Sequence, residues 1–320
     1  GGRRKKRRML RYTLRRILLF IPVMLAVLFI TFTLGFYAPG DPLEIQFGED
    51  YELDPVALAR LRHFHGLDRP FWVQFGDYIW KLGRGDMGRS LRPPRRQIWD
   101  KVKEAFPISA QIGVAAGVLL VVTAIPLGVL AAAKQNTWVD YVIVTGSIAA
   151  SSIHVIVLAP ALMVLFVLVL GIMDVPVGWE GIFSTNAIIP VAILVTTSQL
   201  GLVRQTRAGV LEVIQQNYVR TARAKGLFER GVVTRHMLKN ALTPVLTSVG
   251  LTLSGLVTGA FFIERIFAIP GFAGMGINAF QARDYPVILA TTMIAASIII
   301  VANLLADLGY GLVDPRVRIS

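Results

Sequence analysis

Residues 218–246 read YVRTARAKGLFERGVVTRHMLKNALTPVL. The first eight favour a helix, Ala222 and Ala224 leave room for another surface to approach closely, and Gly226 is a natural C-terminal stop. A second helix is expected from about Gly231 to Ala241, with Pro244 near the start of the next apolar run. This basic helix-turn-helix sits in a chain that is 54% hydrophobic. What lies on either side of it therefore decides the fold.

Mean hydropathy is +0.59, and only 17% of the 320 residues are charged. Six runs contain no Asp, Glu, Lys or Arg: Ile17–Tyr37, Ile108–Ala133, Tyr141–Leu170, Ala187–Val203, Leu246–Ile263 and Val287–Ala306. A hydrocarbon core takes about 20 apolar residues per helical crossing, so each run is a candidate span. The first has Arg15 and Arg16 before it, as a signal peptide would. It is too long for one, and YAPGDP rather than a small-residue cleavage pattern follows, so it reads as a retained span.

Charge orients the chain. With the N-terminus inside, Arg3–Arg16, Lys134, Arg204–Lys239, Arg316 and Arg318 place 20 of the 33 basic residues inside, with five acidic ones. The outer segments hold 13 basic and 15 acidic residues, which is the positive-inside pattern. The net charge of +13 is thus explained by topology, and nucleic acid is not an implied partner. The basic stretch at 218–246 falls in the largest cytoplasmic loop. On its residues alone it is either a solvated loop held near anionic headgroups or a mechanical element that carries a push from a soluble partner into the bilayer.

Several chemistries are excluded. Cysteine is absent, which removes disulfides, thiolate metal sites and cysteine nucleophiles. No Gly-Lys pair occurs, so the chain has no Walker-type phosphate loop, and there is no H-E-x-x-H. The runs carry no acidic or basic side chain of the kind that ion-coupled transporters retain despite its cost; His154, beside Ser151 and Ser152, is the one ionisable group well inside a run and reads as an interhelical hydrogen bonder. His63 and His65 read as a surface pair without metal. Uphill movement of a solute through this chain needs energy from another polypeptide.

The 38–107 segment carries helix signals of its own. Asp54 and Pro55 form a cap and first turn, with Gly66 to close that helix, and Phe71, Phe75, Tyr78, Ile79 and Leu82 then recur at helical spacing beside Trp72 and Trp80. Such a stripe either lies in the outer interface or packs on the spans. Gly255 and Gly259 form a G-x-x-x-G pattern suited to helix packing.

The basic loop resembles the cytoplasmic "EAA" loop of ATP-binding-cassette importer permeases, in the form found in the dipeptide, oligopeptide and nickel family. Tyr218, Arg220, Thr221, Ala222, Arg223, Ala224, Lys225, Gly226 and Leu227 supply that form, and RHMLKNALTPVL continues it. Arg220 and Thr221 stand where the general motif has glutamate and alanine, a departure that the peptide subfamily shares. RYTLRRILLFIPVM with PGDP (39–42) is similar to the start of the B-type membrane subunit, and HGLDRPFWVQFGDYIWKLGRGDMGRSL to its outer segment. IERIFAIPGFAGMG, RDYPVI and ANLLADLGYGLVDPRVR resemble its end, so the likeness covers nearly the whole chain. The third run departs: SSIHVIVLAP lacks the proline-led aromatic pattern common there.

The resemblance implies an all-α integral membrane protein with six transmembrane helices of the ABC importer permease type, a helical extracytoplasmic segment after the first span, and a cytoplasmic coupling helix-turn-helix. Its parts are a basic N-terminus (1–16), the first span (17–37), the extracytoplasmic segment (38–107), a five-span core (108–308) that includes the coupling loop 204–245, and a cytoplasmic C-terminus (309–320). It further implies a transport subunit, not an enzyme, in the cytoplasmic (inner) membrane of a prokaryote, passing di- or oligopeptides or a similar small solute. Its partners are a C-type permease subunit forming a heterodimer, two cytoplasmic ATPase subunits, an extracytoplasmic solute-binding protein and membrane lipids. ATP and Mg belong to the ATPase subunits, with no cofactor on this chain. Ser151, His154, Ser254 and Thr258 are candidates for the translocation path, and Glu264 with Arg265 for an outer gate. A passive channel, a lipid-anchored scaffold and a membrane-embedded hydrolase are the alternatives.

Overall fold

The computed structural model describes residues 2–37, 56, 59–60, 62–63, 66–92, 94–226, 228, 231–232, 237, 241, 243–257 and 261–313. Among these, helix is the one regular element; an isolated antiparallel bridge joins Arg89 and Gln97. The helices are α1 Gly2–Phe36, α2 Phe71–Gly83, α3 Ile98–Ala133, α4 Trp138–Ser152 and α5 Val155–Met163, which continues as a π-helical turn over Val164–Val169. After a 3-10 turn at Thr185–Ala187 come α6 Ile188–Ile214, α7 Asn217–Ala224, α8 Thr243–Val257, α9 Phe261–Ile266, α10 Phe272–Gln281 and α11 Tyr285–Val313.

Four helical segments are long and apolar enough to cross a membrane: Leu18–Phe36, Ile98–Ala133, Thr185–Ile214 and Tyr285–Leu304. At about 1.5 Å per residue α3 is roughly 54 Å long against a hydrocarbon core of about 30 Å. Its first turns, with Asp100, Lys101, Lys103 and Glu104, therefore lie beyond the apolar zone, as its charge-free run from Ile108 requires. Leu18, Ile21, Ile30, Leu34, Val118 and Val122 are each more than half exposed, which suits side chains that face lipid.

The third run is not one straight span. α4 and the α5–π segment meet at 95° across Ile153 and His154, so up to five crossings are present among the described residues if this bent pair counts as one. Ile153 leaves the helix with ψ 116°, and His154 restarts it as the N-cap of α5, its Nδ1 accepting from the Ile156 N–H at 3.3 Å. A side chain that captures a backbone N–H offers the chain an alternative to continuing the ladder. The fifth run falls on α8 and α9, on either side of residues outside the described set.

Two compact units are formed. The first comprises Gly1–Ile17, Ser109–Ile269 and Ile298–Ser320, the second Leu18–Ile108 and Pro270–Ser297. In the first, α6 is the hub: α4, α5, α7 and α8 all pack on it. Its buried residues run along nearly its whole length, from Ile189 and Ile193 through Val203 to Val210 and Val213, and the hydroxyls of Thr196 and Thr197 between them are satisfied within the helix, on Ala192 O and Ile193 O. In the second unit Ile98, Val102, Phe272, Ala279, Val287 and Ala290 form the core, and an aromatic cluster joins Phe29, Phe32 and Phe36 of α1 to Phe71 and Phe75 of α2.

Candidate functional site

The stretch after α6 is organised by two small apolar side chains. Gln216 has extended backbone and starts α7, its carbonyl accepting from Val219 N at 3.0 Å and Arg220 N at 3.3 Å. Val219 and Ala222 lie three apart, hence on one face, and both are buried with Ala132, Val210, Val213, Val232, Met237 and Ala241. That leaves Arg220, Thr221, Arg223, Ala224 and Lys225 exposed together, with Tyr218 at 40%. Thr221 donates its hydroxyl to Asn217 O at 3.0 Å, and Lys225 N and Gly226 N close the helix on Thr221 O and Arg223 O. Gly226 has φ +75°, the left-handed geometry of a helix stop. α7 is thus a short basic rod, rooted on one face and open on the other. Leu227 lies outside the described residues, as does most of the second helix expected from Gly231 to Ala241.

The root is tight. A Cβ at Gly209 of α6 would sit 2.6 Å from the Ala241 carbonyl oxygen, so backbone meets backbone there and only glycine fits. Two turns from the end of α6, Arg207 reaches the first turn of α4. Its Nε donates to Asp140 Oδ1 at 2.7 Å and its Nη2 to Oδ2 at 2.6 Å, while Asn136 N donates to Oδ2 at 3.0 Å. Asp140 is 3% exposed. Sequence reasoning counted both residues as topology charges; their position at neighbouring span ends was the available signal.

Two of the four candidate path residues, Ser151 and His154, have described side chains, and each makes a contact of its own. Ser151 donates to the Thr196 carbonyl of α6 at 3.3 Å. His154 caps α5 and lies edge-on to Phe262 at 5.6 Å between centroids. The Ser254 side chain and all of Thr258 lie outside the described residues. Among the described residues a Cβ at Gly255 would meet nothing within 4 Å; Gly259 is outside the described set. Of the gate pair, Glu264 is 3% exposed and accepts from Ser109 Oγ at 2.6 Å. Arg265 is exposed and forms no ion pair among the described residues.

In the second unit, sequence reasoning missed a buried latch. Asp284, the residue before α11, accepts from Ser90 Oγ through Oδ2 and from Leu91 N at 3.1 Å through Oδ1; Lys101 Nζ donates to Ser90 Oγ at 3.2 Å. Ser90 and Asp284 are 3% and 2% exposed. The latch ties the bridged loop of Arg89 and Gln97 to the start of α11. His63 Nδ1 lies 2.7 Å from Asp68 Oδ2, a hydrogen bond that holds the Asp68 carboxyl below its usual range, and His65 is outside the described residues. The Tyr78 hydroxyl is buried with no hydrogen-bond partner among the described residues, and burial pushes its phenol up to about 12.

Comparison with known proteins places this architecture. Residues 124–319 match the family described as binding-protein-dependent transport system inner membrane component, and residues 9–112 its N-terminal region. The dipeptide transport system permease protein DppB of Escherichia coli (strain K12) is 35% identical over 338 aligned positions, covering 97% of this chain and 99% of that protein. The oligopeptide transport system permease protein OppB of Haemophilus influenzae is 32% identical over 310 positions, covering 97% and 100%. Among solved structures, a chain of the methionine ABC transporter MetNI in inward-facing conformations aligns with a TM-score of 0.56 at 16% identity, over 67% of this chain and 96% of that one, a likeness of fold. The chain belongs to the inner membrane components of binding-protein-dependent transport systems.

Proposed function

We propose that this chain is the permease subunit through which an ABC importer passes di- or oligopeptides. The full-length likeness to dipeptide and oligopeptide permeases supports the substrate class. The observation that carries the mechanism is the split face of α7: Val219 and Ala222 are fixed in the core, while Arg220, Arg223 and Lys225 face outward. In this reading α7 is the element that two cytoplasmic ATPase subunits grip, one on this chain and one on a C-type partner subunit. ATP and Mg are bound there and no cofactor is bound here. Six spans cross the inner membrane with both termini in the cytoplasm, the fifth being α8 with α9, and a solute-binding protein delivers peptide to the outer face. Closure of the ATPase pair biases a two-state equilibrium of the spans. Glu264 and Arg265 belong to the outer gate, with Ser109 donating to Glu264, and Ser151, His154, Ser254 and Thr258 to the path.

The chain has no cysteine, so a single one can be placed at Ala224, on the open face. A short thiol-to-amine crosslinker added to native membranes should capture an ATPase subunit, in an amount that ATP changes. If well-expressed protein captures nothing, α7 is a membrane-surface segment, and a passive channel or a lipid-anchored scaffold becomes the better reading.

A further inference from the structure

α2 crosses α1 inside the apolar run, not beyond it. Phe71, Phe75 and Tyr78 meet Phe29 and Phe32 at centroid distances of 5.3 to 5.9 Å. Phe32 and Phe29 precede Phe36, the end of the membrane-length segment, by four and seven residues. Phe71 also meets Phe36 and Tyr37 at 5.2 and 6.2 Å, so at about 1.5 Å per residue the contact runs from the end of the span to roughly 10 Å inside it, a range that includes the depth at which amphipathic helices rest in a bilayer interface.

The exposed tryptophans of α2 suit that depth. Trp72 stacks on Phe29 of α1 at 5.8 Å between centroids yet is 69% exposed, and Trp80 is 64% exposed. Cations sit on the indoles at the far end: the Arg84 guanidinium lies 4.5 Å over the Trp80 ring and Lys103 Nζ 5.5 Å over Trp99. Beside them opens a hollow of about 550 Å³ walled by Lys81, Arg84, Arg89, Gln97 and Trp99, with one carboxylate, Asp86, whose Oδ1 already accepts from Gly88 N at 2.8 Å. Among the described residues no carboxylate pairs with Lys81, Arg84 or Arg89. Residues 81–103 hold eight basic and two acidic side chains, a basic block within a segment that the orientation above places outside.

We infer that α2 is embedded in the outer leaflet and that this corner holds the phosphate headgroup of an anionic phospholipid, its chains lying along Trp80 and Trp72. A lipid supplies both requirements at once, an anion at the level of the cations and hydrocarbon at the level of the tryptophans. An acidic water-soluble partner meets only the first. The inference rests on the proposed orientation only for the choice of leaflet, and its test does not involve transport.

The full chain, released in mild detergent, is titrated with phosphatidylglycerol or phosphatidylcholine, and bound lipid is counted by native mass spectrometry. We expect preferential retention of phosphatidylglycerol, weakened about fivefold for each of Lys81→Gln, Arg84→Gln and Arg89→Gln, and little competition from inorganic phosphate, which lacks the chains. Equal retention of both lipids, or a triple variant that keeps the preference, overturns the lipid site. Strong competition by inorganic phosphate reassigns the corner to a free anion and overturns it too. As a second measurement, Trp80→Cys is labelled with bimane in vesicles containing lipid brominated on the acyl chain. Quenching by bromine is expected; quenching by aqueous iodide alone places residue 80 in water and overturns the embedding, whatever the triple variant does.

Discussion

The Arg207 guanidinium holds the Asp140 carboxylate with both arms, at 2.7 and 2.6 Å, across 67 residues of sequence. Asp140 is buried and the Arg207 side chain is 26% exposed, so removing one partner strands the other in poorly hydrated surroundings. Asp140→Asn should cost on the order of 3 kcal/mol, read as an earlier thermal transition in detergent. Arg207→Lys keeps the charge but loses the planar fork and should fall between wild type and Asp140→Asn. Equal transitions in all three proteins would show that the pair contributes nothing measurable.

Gly226 has φ +75° at the end of α7. Gly226→Ala places a side chain in left-handed geometry at a cost of about 1 kcal/mol and should lower peptide uptake modestly. Gly226→Pro cannot adopt that φ at all. Uptake should be lost while the amount of protein in the membrane fraction stays near normal. Unchanged uptake by the proline variant would remove α7 from the transport cycle.

Tyr78 is raised from the ordinary phenol value to about 12 by burial. The unfolded chain then releases this proton near pH 10 while the folded one keeps it, so the contribution is intact below pH 10 and fades as pH climbs from about 10 to 12. Tyr78→Phe deletes a hydroxyl that has no partner among the described residues and should match or exceed wild-type stability at pH 7. It should also lack the alkaline loss attached to this residue. Melting curves of both proteins from pH 8 to 11 decide it, and a marked destabilisation of the variant at pH 7 contradicts the assignment.

Asp284 accepts both Ser90 Oγ and Leu91 N from the 88–98 loop. Asp284→Ala leaves Leu91 N without its acceptor and Ser90 Oγ with only the long contact to Arg92 O at 3.5 Å, and should free that loop, exposing the arginine-rich 92–96 stretch to trypsin several times faster than in wild type. Ser90→Ala removes one donor and should have a smaller effect. Identical cleavage rates in the three proteins would mean that the loop is held by its backbone bridge alone.

What could be read from sequence follows from how local each signal is. A run without charge is a property of consecutive residues, which is why Leu18–Phe36, Ile98–Ala133, Thr185–Ile214 and Tyr285–Leu304 emerge where the hydropathy puts them. α7 was legible in the same way, through its propensity and the stop at Gly226. The break at Ile153 and His154 was not, because no proline or glycine marks it; it depends on an imidazole turning back on Ile156 N. The Asp140–Arg207 and Ser90–Asp284 pairs are long-range contacts, and a single sequence carries no register between such distant positions. The basic block at 81–103 was hidden by averaging: spread over the long outer segments, its eight cations vanish into a balance near zero.

The approach of Gly209 to the Ala241 carbonyl bears on stiffness. Side chains between two helices act as a cushion, because rotamers can shift and absorb part of a displacement. Here no side chain intervenes, and peptide backbone bears directly on peptide backbone in a close-packed setting. A movement imposed on the segment around Ala241 therefore passes to α6 with little slack. Any Cβ introduced at residue 209 would act as a shim, holding the two backbones apart and altering the rest position of everything that turns with α6.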